Sequence, residues 1–214
     1  MIAIEVDPVL VHYLRQKFAG EIAEGRLHLI EGDVLKTDLA QWGAAVIAGN
    51  LPYYITSPIL EKLHSLGSAQ RGAELKGWIR AVFLVQAEVA ARLAAAPGSR
   101  DYGYLSVLTQ VYARPEILMA VPRSAFRPQP KVDSAVVKLE PADALRDFGI
   151  ADREGFLRFA SLAFRQKRKT LRNNLSAAYP RELLDRIPET RLRAEQMGIP
   201  ELVALERAIA ASNA

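Results

Sequence analysis

The 214-residue chain contains no cysteine. That absence excludes disulfides, thiolate nucleophiles and sulfur-ligated metals together. Histidine is nearly as scarce. His12, His28 and His64 are scattered and share no ligand spacing, so neither a metal centre nor a Ser/His/Asp set is expected. No phosphate-binding P-loop pattern occurs. No stretch approaches the roughly 18 consecutive apolar residues of a membrane span, so no membrane partner is expected. Gly (13) and Pro (12) are not in excess, which argues against disorder, and there is no internal repeat or low-complexity tract.

What remains is a chain that is 50% apolar, enough for a sizeable core in one large domain or a medium domain with a small one. Its formal net charge is +4 and its pI about 9.4, a balance that favours a polyanionic partner such as nucleic acid. A cytoplasmic location is the expectation.

The first half alternates apolar runs with helical spacing. Ile2–Asp7 reads as a buried strand ending in acids, and Pro8–Gly20 as a helix with Pro in its first turn and Gly at its end. Leu27–Ile30, Ala44–Gly49 and Trp78–Val85 read as further strands, and Ser57–Leu66 and Gln86–Ala96 as helices. Such alternation predicts βαβ units and a parallel sheet. Glu116–Val121 and Ala135–Leu139 then read as a terminal antiparallel strand pair. From Phe156 onward the pattern is helical, over 156–178, 180–186, 188–197 and 200–211. The expected division therefore falls within 141–151: an α/β domain over 1–145, then a small all-α domain over 146–214.

In open α/β sheets, ligands bind beyond the carboxyl ends of the strands. Glu5 and Asp7 sit near the end of the first strand, where a carboxylate can accept both hydroxyls of a ribose. Asp33 ends the second strand and can accept from an adenine amino group. The competing reading makes Asp7 a helix cap and Asp33 part of a turn.

The third strand runs into Asn50-Leu-Pro-Tyr-Tyr54. The exocyclic nitrogen of adenine is a poor nucleophile because its lone pair is delocalised into the ring. Acceptors around its hydrogens, an Asn oxygen plus a backbone carbonyl, pull it toward tetrahedral geometry and free the lone pair to attack a sulfonium methyl. Pro52 has no N–H to compete and stiffens the turn. An adjacent aromatic face can stack the base. Phe126 lies in a loop with Pro122, Pro128 and Pro130 that cannot be a regular strand. It is placed to close the opposite face, since enzymes acting on a base extrude it and clamp it. The candidate catalytic residues are Asn50, Leu51, Pro52, Tyr53 and Phe126. The basic segment Arg165, Lys167, Arg168, Lys169 and Arg172 carries no acid and is read as RNA-binding; on a helix Arg165, Arg168, Lys169 and Arg172 share one face, with Phe164, Leu171 and Leu175 pointing inward.

Asn50–Pro58 resembles the catalytic motif of the ribosomal RNA small-subunit adenine dimethyltransferase family, linked to kasugamycin resistance. Phe126–Ser134 resembles the same family's Pro-rich loop, and Phe164–Leu175 the start of its helical domain. The resemblance implies a Rossmann-like S-adenosylmethionine-dependent methyltransferase domain followed by a small all-α domain. It implies dimethylation of two adjacent adenines in a hairpin loop near the 3′ end of small-subunit (16S) ribosomal RNA, on the assembling subunit, by a monomer. By position, Glu5 would bind the cofactor ribose, Asp33 its adenine, Asn50 both cofactor and target amine, and Tyr53 and Phe126 the two faces of the base. The family's Gly-rich loop, Glu-x-Gly-x-Gly, has no counterpart before Glu5. The resemblance thus implies that the N-terminal strand and helix are missing, and that the chain alone is unstable or binds cofactor poorly. Two other readings stand beside it. One is a large-subunit adenine methyltransferase of the macrolide-resistance type, which shares Asn-x-Pro-Tyr. The other is a non-catalytic RNA-binding assembly factor.

Overall fold

The computed structural model describes residues 1–42, 45–52, 55–67 and 78–212. The chain divides into two compact units, Met1–Ala44 with Tyr54–Gly77, and Ala45–Tyr53 with Trp78–Ala214.

In the first unit, β1 (Ile2–Glu5) pairs in parallel with β2 (His28–Glu31), in the register Ile2↔His28 to Glu5↔Glu31. Between them run α1 (Pro8–Lys17) and α2 (Ala19–Ala23), shorter pieces than the single predicted helix. The side chain of Asp7 accepts from the N–H groups of Val9 and Leu10 and starts α1, with Pro8 in the first turn where a missing N–H costs nothing. The helix α3 (Thr56–Gly67) belongs to the same unit, and Lys62 Nζ donates to the carbonyl of Leu35 at 2.7 Å.

The second unit is built on a four-stranded sheet in the order β3-β4-β6-β5, with β3 (Ala45–Asn50), β4 (Trp78–Gln86), β5 (Ala113–Val121) and β6 (Ser134–Pro141). β3 and β4 are parallel, as expected; β6 runs antiparallel to both β4 and β5. Alternation decides which face is covered. Ala81, Phe83 and Val85 of β4 and Ala135, Val137 and Leu139 of β6 point into the core, whereas Arg80 and Glu140 on the other face pair at 3.0 Å. The buried face packs against α4 (Ala87–Leu93) and α5 (Tyr104–Tyr112). The sequence reading had no helix at 104–112.

The C-terminal part carries α6 (Ala144–Phe148), α7 (Arg153–Ala163), α8 (Leu171–Leu175), α9 (Arg181–Asp185) and α10 (Ile199–Ser212). The stretch expected as a helix over 188–197 is instead a pair of 3₁₀ turns, Pro188–Arg191 and Ala194–Gln196. One hydrophobic core runs from Val107 and Val111 of α5 through Ala144, Ile150 and Phe156 to Leu202 and Ile209. The helices thus share apolar packing with α5 across residue 145. Phe156, Phe159, Ala160 and Ala163 form the buried stripe of α7, and Asp152 caps it by accepting from the N–H of Gly155 at 2.9 Å.

The helix predicted over 156–178 is corrected: it breaks after Ala163 and restarts at Leu171, and Arg165–Lys169 form an exposed turn. Arg165, Arg168, Lys169 and Arg172 therefore do not share one helix face. The cause is local. Like charges three and four apart repel along a helix, and no apolar residue lies between Phe164 and Leu171 to hold a buried stripe. Thr170 caps the new start, and the side chain of Asn174 satisfies the carbonyl of Ala163, the last residue of the old one.

Candidate active site and basic turn

Strand order explains why Asn50 and Phe126 meet. Asn50 is the last residue of β3 and pairs with Leu84 near the end of β4. Because β6 is antiparallel to β4, Gln86 at the end of β4 pairs with Ser134 at the start of β6. The 122–133 loop that feeds β6 must therefore emerge at the sheet end where Asn50 sits. The N–H of Leu51 donates to the carbonyl of Leu84 at 3.1 Å, so the turn after β3 stays tied to β4. Leu51 is buried and folds back toward Gly49, where an added Cβ would lie 3.2 Å from Leu51 Cδ2. Glycine permits that close return.

Asn50, Leu51, Pro52, Phe126, Pro128 and Pro130 line a pocket of about 250 Å³. Phe126 and Pro130 are half-buried in a loop whose other residues are exposed. Pro128 and Pro130, read from sequence only as stiffeners, are walls of this pocket. Tyr53 lies outside the described residues. The pocket offers an amide, a backbone turn without the Pro52 N–H, and an aromatic face. That is a set for holding a flat base with an amine at its edge.

Glu5 and Asp33 are brought close together in the first unit, at the carboxyl ends of adjacent parallel strands; the N–H of Gly32 donates to the carbonyl of Glu5 at 2.9 Å. Glu5 Oε1 accepts from the N–H groups of Val6 (2.8 Å) and Asp7 (2.9 Å). Asp33 Oδ1 accepts from the N–H of Leu35 at 2.9 Å, and the Asp33 carbonyl accepts from the Thr37 hydroxyl. Both structural roles weighed from sequence are present: Asp7 caps a helix and Asp33 anchors a turn. Each carboxylate also keeps its second oxygen without a partner among the described residues.

The family model for ribosomal RNA adenine dimethylase matches residues 1–199. The chain belongs to the ribosomal RNA adenine dimethylase family. It is 43% identical over 206 residues to the ribosomal RNA small subunit methyltransferase A of Chlorobium chlorochromatii, covering 94% of this chain and 72% of that protein. Its fold resembles the crystal structure of a dimethyladenosine transferase from Plasmodium falciparum, with a TM-score of 0.76 at 23% identity over 99% of this chain and 82% of that one. It also resembles that of the 23S rRNA methyltransferase ErmE, with a TM-score of 0.63 at 24% identity over 98% and 81%. The architecture is thus the α/β, Rossmann-like one expected, and membership in this family makes the chain an rRNA adenine dimethyltransferase.

In this adenine dimethylase the basic segment is a turn whose cations are used unequally. Lys167 Nζ donates to the carbonyl of Arg100, and Arg172 Nη2 donates to Asp185 Oδ2 at 2.8 Å. Arg165, Arg168 and Lys169 are exposed and have no ion pair among the described residues. Leu171 and Leu175 are fully buried as expected, and Phe164 packs edge-on against Tyr102 with ring centroids 5.8 Å apart. Sequence reasoning missed Asn174. It is 4% exposed, and its Nδ2 donates to the carbonyls of Ala163 (2.7 Å) and Gln166 (3.2 Å), so it holds the turn from beneath. A lone Asn in a basic run carries no signal of that role. Among the described residues no acidic or histidine cluster could hold a metal, and no helix is long and apolar enough to cross a membrane.

Proposed function

We propose that this chain dimethylates two adjacent adenines of a hairpin loop near the 3′ end of small-subunit ribosomal RNA, with S-adenosylmethionine as methyl donor. The observation that carries the reading is the pocket that joins the Asn50–Pro52 turn to Phe126. S-adenosylmethionine supplies an electrophilic methyl. Asn50 accepts a hydrogen bond from the target amine, and a backbone carbonyl of the same turn accepts the second. That pull moves the nitrogen toward tetrahedral geometry. Phe126 stacks on the base, with Tyr53 assigned to the other face, and the walls at Pro52, Pro128 and Pro130 limit its motion. No strong general base is needed, because the proton leaves an already cationic product.

Glu5 and Asp33 suit the donor's adenosine. A carboxylate with one oxygen anchored by backbone N–H groups presents the other in a defined direction, suited to ribose hydroxyls at Glu5 and to an adenine amino group at Asp33. Asn50 is also assigned to the donor. Residues 146–214 with the turn Arg165, Lys167, Arg168, Lys169 and Arg172 are assigned to RNA backbone, on an assembling small subunit in the cytoplasm, by a monomer. The name of the 43% identical relative supports the small subunit over the large one.

The test is calorimetric titration of the chain with S-adenosylmethionine, followed by methyl transfer to undermethylated small subunits. Micromolar binding followed by transfer would show that Glu5, Asp33 and Asn50 form a working site in this chain. Tyr53→Ala should abolish transfer and keep RNA binding. Transfer that survives Tyr53→Ala, or that targets large-subunit RNA, would overturn the reading.

A further inference from the structure

The loop that carries Phe126 has few means of holding its shape. It spans 122–133, most of its side chains are exposed, and Pro122, Pro128 and Pro130 have no N–H to donate. Within it, the N–H of Ala125 donates to the carbonyl of Pro122 and that of Phe126 to the carbonyl of Arg123, which shapes only the short 3₁₀ turn Arg123–Ala125. Burial cannot fix an exposed loop, so hydrogen bonds must.

Arg127 Nη1 donates locally, to the carbonyls of Ser124 (3.3 Å) and Phe126 (3.0 Å); the bonds that cross the loop converge on Asp133 and Arg123. Asp133 Oδ1 accepts from the backbone N–H of Arg123 at 2.9 Å, which closes the base of the loop. Arg123 Nη1 donates in return to the carbonyl of Lys131 at 3.3 Å. The carbonyl of Asp133 accepts from the N–H of Ala87 at 3.0 Å and ties the closed loop to the first residue of α4. The two residues therefore cross-link the strands of the loop, each through its side chain to the other side's backbone. A carboxylate that accepts from a backbone N–H makes a shorter, stronger bond than a neutral pair. Phe126 follows Arg123 by one turn, so its direction into the pocket is set where the clamp closes.

We propose that Asp133 and Arg123 are positioning residues that hold Phe126 against the Asn50–Pro52 turn, so that the loop meets the target base already shaped. The proposal rests on the reading of that pocket as the base site, and its test has an arm that does not.

The first arm is limited trypsin cleavage of the full chain. The susceptible bonds in the loop follow Arg123 and Lys131; the one after Arg127 is protected by Pro128. Asp133→Ala should speed cleavage after Lys131 several-fold at unchanged thermal stability, whereas Asp133→Asn, whose amide oxygen still accepts from the Arg123 N–H, should cleave like the parent. Equal cleavage in all three would overturn the clamp, whatever the chain methylates. The second arm is methyl transfer to small-subunit RNA. Asp133→Ala should lower kcat/KM for RNA on the order of tenfold or more, as misplacement by a fraction of an ångström does, with S-adenosylmethionine affinity unchanged and with Asn restoring most of the loss. Loss of cofactor affinity in step with activity, or Asn as poor as Ala, would overturn the positioning role. Clamp-dependent cleavage in a chain that transfers no methyl would sink the pocket reading and leave the clamp standing.

Discussion

Arg172 Nη2 and Asp185 Oδ2 lie 2.8 Å apart and join α8 to α9. The pairing sets Arg172 apart from the exposed cations of the turn before it. The Arg172 guanidinium holds the Asp185 carboxyl below the usual carboxylate range, and Asp185 raises Arg172 in return.

From that pairing we expect a split among the cations. Arg168→Ala and Lys169→Ala should each weaken RNA binding at every sequence and flatten the salt dependence by about one phosphate contact, without changing thermal stability. Arg172→Ala should cost less RNA affinity and lower the melting temperature. Because the Asp185 carboxyl is depressed in the fold, the stabilisation is present above its unfolded value of about 4 and is lost as the pH falls below that. Binding isotherms across salt and melting curves between pH 3 and 7 check both halves.

Phe126→Ala removes one face of the base site. Base–aromatic stacking is worth roughly 1–3 kcal/mol, so the Michaelis constant for RNA should rise about 5- to 150-fold. Affinity for S-adenosylmethionine should not move, because Phe126 is assigned to the base and not to the donor. Steady-state kinetics with each substrate varied in turn would show it; a rise in both constants would contradict the assignment.

Asn174→Ala should strip the buried carbonyl of Ala163 of its side-chain donor and leave that of Gln166 with the Lys169 N–H alone. Leaving such groups unpaired costs about 1–3 kcal/mol. The expected outcome is a lower melting temperature together with weaker RNA binding, since the same side chain supports the basic turn. Denaturant melts and RNA titrations on one preparation would test whether the two losses travel together.

Glu206 in α10 titrates the other way from Asp185. Burial, then the charge of Asp152, pushes its carboxyl up, with Arg207 opposing. A carboxyl raised in the fold costs stability once ionised. The cost is absent below its unfolded value of about 4.3 and complete above the folded one. Glu206→Gln should therefore raise the melting temperature at pH 7 and leave it unchanged near pH 3.

Much of the architecture was written in periodicity. The β6 strand alternates much as its sequence does, β4 is a near-continuous apolar run, and the parallel pairing of β3 with β4 and the antiparallel pairing of β5 with β6 followed from run lengths and turn residues. The α5 helix was invisible because Tyr104–Tyr112 is buried on nearly every side: Ser106, Val107, Leu108, Thr109 and Val111 are all buried, the polar Ser and Thr among them, so polarity marks no exposed stripe. The break at Ala163 escaped because spacing alone cannot weigh charge repulsion and a distant cap against continuation.

By itself the sequence determined the chemistry on offer: an amide and a proline at a strand end, a phenylalanine in a loop that cannot be a strand, acids ending β1 and β2, and cations without acids. Residue types and their spacing carry that information because covalent order fixes which groups follow a strand. Only the tertiary structure decided which of these groups meet. The antiparallel entry of β6 brings Phe126 to Asn50, Asp133 reaches across its loop to Arg123, and Asp185 withdraws Arg172 from the turn. Each depends on contacts between residues far apart in the chain, which strand order and packing create and local pattern does not encode.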